Sequence, residues 1–148
     1  MTQTVLVTGA AAGLGNVIAT SLLKQGYQVV LTDVDATRAR EAAARLDDGQ
    51  DRVLALGLDI CQPQDFADAL DATITRFGSL DVLVNNAALT LATPVMEIAV
   101  EEFDRVIATN LRGTFVGCQT MGRYFATRGY GRIINLASLA GQNGGTAS

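Results

Sequence analysis

Short apolar runs alternate along this chain with longer stretches whose apolar residues recur at helical spacing. Thr4-Val5-Leu6-Val7 is a β-type run; Leu14, Val17, Ile18 and Leu22 then form a stripe that continues to Lys24. The same reading predicts strands over Thr4–Thr8, Gln28–Thr32, Arg52–Leu58, Leu80–Val84 and Ile133–Ala137. It predicts helices over Leu14–Gln25 and Thr37–Leu46, a third opening at Pro63 and carrying Phe66, Leu70, Ile74 and Phe77, and helical signal from about Val100 to about Thr127. Gly26, Asp47-Asp48-Gly49, Gly78 and Gly129-Tyr130-Gly131 are the stops, Asp35 is a helix cap, and Pro63 suits a first helical turn. Asn110 and Gly113 are weak points in the long helical stretch, and the tail after Ser138 is rich in Gly, Ser, Thr and Asn. Strands alternating with helices mean βαβ units, right-handed crossovers and an α/β fold whose parallel sheet is covered on both faces.

Composition narrows the function more than the fold. One domain spanning residues 1–148 fits the length. The net charge is −4, with no basic block, which argues against nucleic acid. No apolar run reaches a membrane span, and the N-terminus lacks a basic region followed by an apolar one, so a cytoplasmic protein is expected. The chain has no His, and Cys61 and Cys118 are isolated, so a metal site is not expected and the thiols read as buried and free. Acid–base chemistry must then use groups other than imidazole.

The stretch Thr8-Gly9-Ala10-Ala11-Ala12-Gly13-Leu14-Gly15 falls where the first strand turns into the first helix. There, backbone N–H groups and the positive end of a helix dipole converge on one point, and glycines admit the oxygens of a diphosphate. Asp33 ends the second strand, 18 residues past Gly15, where a carboxylate can accept hydrogen bonds from both hydroxyls of an adenosine ribose. It would repel a 2′-phosphate, and Val34 stands where an Arg would have favoured one, so NAD is the expected cofactor. The bland alternative for Asp33 is a capping or surface residue. Asp59 can hydrogen-bond an adenine amino group with Ile60 packed on the ring, or be a solvated strand end. Asn85 and Asn86 end a buried strand and face the crevice, or tie loops together. Asn110 either ends a helix or bends one so that a freed carbonyl binds water. Ser138 follows an apolar strand and points its hydroxyl into the crevice, or is a solvated loop Ser.

Together these residues resemble the short-chain dehydrogenase/reductase family over all 148 residues. Thr8-Gly9-(three)-Gly13-Leu14-Gly15 matches its cofactor turn, Asn85-Asn86-Ala87 its strand-four motif, and Thr109-Asn110-Leu111 its catalytic-Asn neighbourhood. Gly131-Arg132-Ile133-Ile134-Asn135 leads into Ser138 as in that family. Ala88 stands where many members carry Gly.

The resemblance implies a Rossmann-like doubly wound sheet and an oxidoreductase that moves a hydride between NAD(H) and a secondary alcohol or ketone. It assigns cofactor contacts to Thr8, Gly9, Gly13, Leu14, Gly15, Asp33, Val34, Asp59, Ile60, Asn86, Ala87 and Ala88. Ser138 would hydrogen-bond the substrate oxygen and Asn110 would hold a relay water. A Tyr-x-x-x-Lys pair would supply a phenol and the cation that makes it acidic enough. That pair is due just over a dozen residues after Ser138, beyond Ser148, and Tyr130 lies on the wrong side of strand five. Strand five is apolar on both sides and would be left as a bare edge, so the native chain is expected to run roughly 60–110 residues further, at about 30 residues per βα unit. A non-catalytic NAD-binding module is the better description if it does not, and a fold binding another nucleotide-containing ligand is a third reading. The family also implies a homodimer or homotetramer, joined on the outer side of the helix carrying Leu111, Phe115, Cys118, Met121 and Phe125.

Overall fold

The computed structural model describes residues 2–46, 49 and 51–144. The strands are β1 (Thr4–Val7), β2 (Gln28–Asp33), β3 (Val53–Gly57), β4 (Val82–Asn85) and β5 (Arg132–Asn135). The helices are α1 (Gly13–Lys24), α2 (Ala36–Leu46), α3 (Pro63–Phe77), α4 (Val100–Ile107), α5 (Thr114–Arg128) and the short α6 (Ala140–Asn143). All strand pairs are parallel, in the order β3-β2-β1-β4-β5. The chain builds outward from β1 to β3, crosses back through α3, and builds the other way through β4 and β5. The reversal point lies between β1 and β4, where open α/β sheets place ligands.

Period-two alternation splits the core into two layers. Val5, Val7, Val29, Leu31, Val82 and Val84 face Ala19 and Leu23 of α1 and Ala39 and Ala42 of α2. Leu6, Val30 and Leu83 face the other way, onto Phe66 and Ala69 of α3 and Val116, Met121 and Phe125 of α5. At the amino ends of the strands, Asp81 accepts a hydrogen bond from the Thr4 amide (2.8 Å) and pairs with Arg128 (3.1 Å).

Most expected elements form, with ends shifted by one or two residues. The Asp47-Asp48 stop and the last four residues of the polar tail lie outside the described residues. Two expectations need correction, and the edge position of strand five is one the sequence anticipated. Leu14 and Val17 do not reach the core: they are 61% and 63% exposed, while Ile18 and Leu22 of the same stripe pack on it beside Gly15, Ala19 and Leu23. The stripe assigned to the long helix divides likewise: Met121 and Phe125 are buried, while Leu111 and Phe115 are exposed. Strand five is an edge of the described sheet; Ile133 packs on the core, but Ile134 is 47% exposed.

The stretch around Asn110 neither ends a helix nor simply bends one. It widens into a π-helical turn, Ala108–Gly113, between α4 and α5. Such turns occur mostly as single insertions at functional positions. The Asn110 carbonyl accepts a hydrogen bond from the Thr114 hydroxyl (2.9 Å).

Candidate functional site

The turn after β1 is held by the end of β4. The Thr8 hydroxyl accepts hydrogen bonds from the Asn86 and Ala87 amides, both 3.0 Å. The Asn86 side-chain amide donates to the carbonyls of Thr8 (2.9 Å) and Gly9 (3.1 Å). This contact explains two of the three glycines. A Cβ on Gly9, whose φ is +63°, would stand 2.8 Å from Ala87 Cα. One on Gly15 would stand 2.5 Å from both Asn86 Nδ2 and the Gly9 oxygen. The space at Gly9 and Gly15 is therefore used by the protein's own chain. Gly13 (φ +56°) differs: no atom lies within 4 Å of where its Cβ would be, and it borders open space.

That open space is a cleft of about 570 Å³ at the carboxyl ends of the strands. It gathers nine of the expected cofactor residues: Gly9, Gly13, Asp33, Val34, Asp59, Ile60, Asn86, Ala87 and Ala88. Thr8 and Gly15 are buried behind its wall, and Leu14 is exposed on the first turn of α1; none of the three lines it. The amino end of α1 has neither a side-chain cap nor an acidic residue in its first turn. Its first amides are open to an anion, and the helix dipole favours one.

Asp33 closes one side. Its carboxylate accepts hydrogen bonds from the Ala11 amide (3.3 Å) and the Asp35 amide (3.2 Å), which fixes it beside the glycine turn. An acceptor-only group retains lone pairs for hydroxyl donors. Asp59 accepts from the Cys61 amide (2.9 Å), while its own amide donates to Asp65 (2.9 Å). Ile60 is buried, and a Cβ on Gly113 of the π turn would stand 2.7 Å from its side chain. Arg112 donates to the Cys61 carbonyl (2.7 Å), and the half-buried Cys61 thiol contacts the Ala108 carbonyl (3.5 Å). The π turn thus braces the Asp59–Cys61 segment.

The two Asn residues at the end of β4 part company. Asn86 lines the cleft, whereas Asn85 turns to β5 and donates to the Asn135 side-chain oxygen (2.8 Å). The half-buried Cys118 thiol sits 3.6 Å from both of these side chains. Asn110 clasps the loop after β4 with both ends of its amide: Oδ1 accepts from the Leu89 amide and Nδ2 donates to the Leu89 carbonyl, each at 2.8 Å. Ser138 follows β5 on the same edge of the sheet, outside the lining of the cleft. It is exposed, and its hydroxyl accepts from the Ala140 amide (3.2 Å) ahead of α6.

Ala12, Arg38, Leu58, Leu89, Arg105 and Thr109 also line the cleft and were not anticipated. Arg38 and Arg105 lie on α2 and α4, and nothing in their local pattern marks the side that meets the cleft. Among the described residues, no group of His, Cys, Asp and Glu could hold a metal, and no helix is long and apolar enough to cross a membrane.

Comparison with known proteins bears on the same residues. A family model described as short chain dehydrogenase matches residues 3–148. D-threitol dehydrogenase of Mycolicibacterium smegmatis is 35% identical over 135 residues, covering 91% of this chain and 52% of the relative. A crystal structure of a short chain dehydrogenase from Bacillus anthracis superposes with a TM-score of 0.92 at 29% identity, covering 97% of this chain and 60% of that one. The 3-ketoacyl-(acyl-carrier-protein) reductase of Brucella melitensis, complexed with NADH, gives a TM-score of 0.84 at 31% identity, covering 93% of this chain and 57% of that one. The chain spans about half the length of the curated relatives it matches, such as 52% of the threitol enzyme. With a family model matching residues 3–148 and the parallel sheet shared with these solved structures, this chain belongs to the short-chain dehydrogenase family.

Proposed function

We propose that this chain is the dinucleotide-binding part of an oxidoreductase that moves a hydride between NAD(H) and a secondary alcohol or ketone. The observation that carries the reading is the cleft itself: an uncapped helix end faces open space at Gly13, with a fixed carboxylate, Asp33, at the side where a ribose would lie. The amides opening α1 bind the diphosphate. Asp33 accepts the ribose hydroxyls, and Asp59 and Ile60 hold the adenine. Asn86, Ala87 and Ala88 support the path toward the nicotinamide, which supplies the hydride chemistry when bound.

Ser138 orients the substrate oxygen, and Asn110 holds the Leu89 loop beside the path of a relay proton. The substrate class is supported by a relative named D-threitol dehydrogenase. A homodimer or homotetramer is supported by the exposed apolar stripe of Val100, Phe103, Ile107, Leu111 and Phe115 along α4, the π turn and α5.

Titration with NADH, followed by nicotinamide fluorescence, tests the reading. The wild-type chain is expected to bind, and Asp33→Ala to weaken binding about tenfold or more through loss of charge-assisted hydrogen bonds. Folded wild-type protein that leaves NADH fluorescence unchanged overturns it.

A further inference from the structure

The π turn that carries Asn110 meets the cleft at two walls. Residues three apart share a face of an α-helix, but Asn110 and Gly113, set across the widened turn, reach different segments. Asn110 holds Leu89, which follows β4 and lines the cleft. Gly113 is buried against Ile60, which follows β3 and lines the cleft on the adenine side. The fit there is tight: a Cβ on Gly113 would stand 2.7 Å from both Cδ1 and Cγ1 of Ile60 and 3.3 Å from its Cβ. The φ of Gly113 is −61°, which suits any residue, so space alone excludes a side chain. Ile60 is 7% exposed and packs in the core layer with Leu58 and Phe66, so a push from Gly113 drives it toward the cleft. The preceding residue acts on the same segment. Arg112 is exposed, yet its Nη2 donates to the Cys61 carbonyl at 2.7 Å. The Cys61 amide in turn donates to Asp59 Oδ1 (2.9 Å), so the guanidinium holds the segment that carries both Asp59 and Ile60.

Resting on the dinucleotide reading above, we propose that Arg112 and Gly113 are positioning residues for the adenine end of the cleft, acting through Cys61 and Ile60. Arg112 sets the course of the Asp59–Cys61 segment. The absent side chain at Gly113 sets how far Ile60 stands back from the cleft, and so the depth left for a flat ring. One π turn then serves both ends of the ligand: Asn110 steadies the Leu89 loop, and the residues just after it steady the wall behind the adenine. Neither Arg112 nor Gly113 lines the cleft, so any effect on a ligand passes through the residues they brace. A ligand with the adenosine half and no nicotinamide should feel their loss as strongly as the whole dinucleotide does.

The test is titration with NADH, read by nicotinamide fluorescence, and with ADP-ribose, read by displacement of NADH, on variants checked for folding by circular dichroism. Gly113→Ala should weaken both ligands by the same factor, about tenfold, because the added methyl overpacks Ile60. Ile60→Ala removes both atoms that the methyl would meet. The double variant Gly113→Ala with Ile60→Ala should therefore bind ADP-ribose within about twofold of Ile60→Ala alone. Arg112→Gln should weaken both ligands about threefold, the size of one charge-assisted contact at an exposed site. Arg112→Lys, which keeps a charged donor for a single carbonyl, should bind within about twofold of wild type. A folded Gly113→Ala with unchanged ADP-ribose affinity, or additive losses in the double variant, overturns the proposal. Should Gly113→Ala not fold, the Arg112 pair decides: no loss in Arg112→Gln, or no recovery in Arg112→Lys, overturns it. Weakened NADH with unchanged ADP-ribose puts the effect at the Leu89 end and overturns it too. Failure of folded wild type to bind either ligand overturns the dinucleotide reading itself.

Discussion

The carboxyl ends of β1 and β4 are built differently from that of β5. At the first, each side chain is held by several partners: Thr8 receives two amides, Asn86 bonds two carbonyls, and Gly9 and Gly15 leave no room for a Cβ. At the second, Asn135 is tied to Asn85, but three residues later Ser138 is exposed, and its described bonds are local ones, from the Ala140 amide to its hydroxyl and from the Gly141 amide to its carbonyl. A site made by two strand ends clasping each other is rigid before any ligand arrives. A side chain on an edge strand takes its orientation from whatever else packs there.

Substitutions can break this contrast at its widest point. Leu83→Ala, fully buried on the interior strand β4, is expected to cost about 2–5 kcal/mol in urea unfolding, because a cavity adds to the lost burial. Ile134→Ala on β5 should cost about 1 kcal/mol or less, since that side chain is already half in water. Equal costs would remove the distinction between centre and edge.

Gly15→Ala should come next, at about 1–3 kcal/mol, with NADH affinity falling more than about tenfold. The added methyl meets Asn86 and the Gly9 carbonyl, so the damage spreads to the whole turn. Retained NADH affinity would show that the clasp does not shape the cleft.

Thr8→Val sharpens the comparison at nearly constant volume. It strands two amides that the hydroxyl accepts, and should cost about 1–3 kcal/mol while weakening NADH binding. Thermal melting that matches wild type would mean that water replaces the hydroxyl.

Ser138→Ala should do least, within about 0.5 kcal/mol of wild type and without effect on NADH affinity. A larger loss of stability would mean that the β5 end is braced by contacts beyond its bond to Ala140.

How much could be read in the chain depended on how local each constraint was. β1, the glycine turn and α1 are consecutive, so apolar run, glycines and helical stripe announce one another within Thr4–Lys24. Asp33 is legible because it ends a clear strand. The same local reading misjudged part of the buried face of α1, where Ile18, Ala19, Leu22 and Leu23 pack and Leu14 and Val17 do not. Helical spacing marks a stripe, but only the sheet beneath the helix decides which edge of that stripe is covered. Arg38 and Arg105 escaped notice because a charged residue on an exposed helix has no sequence signal for what stands opposite it.

The sequence by itself determined the alternation of strands and helices, the parallel sheet and the position of the glycine turn, because these follow from periodicity and glycine placement over a few neighbouring residues. Only the tertiary structure decided what fills the space beside each glycine, that Asn85 and Asn86 face opposite ways, that Asn110 is spent on Leu89, and that two arginines enter the cleft. Each of these joins residues distant in the chain, and a contact across such a distance leaves no local pattern from which it could be read.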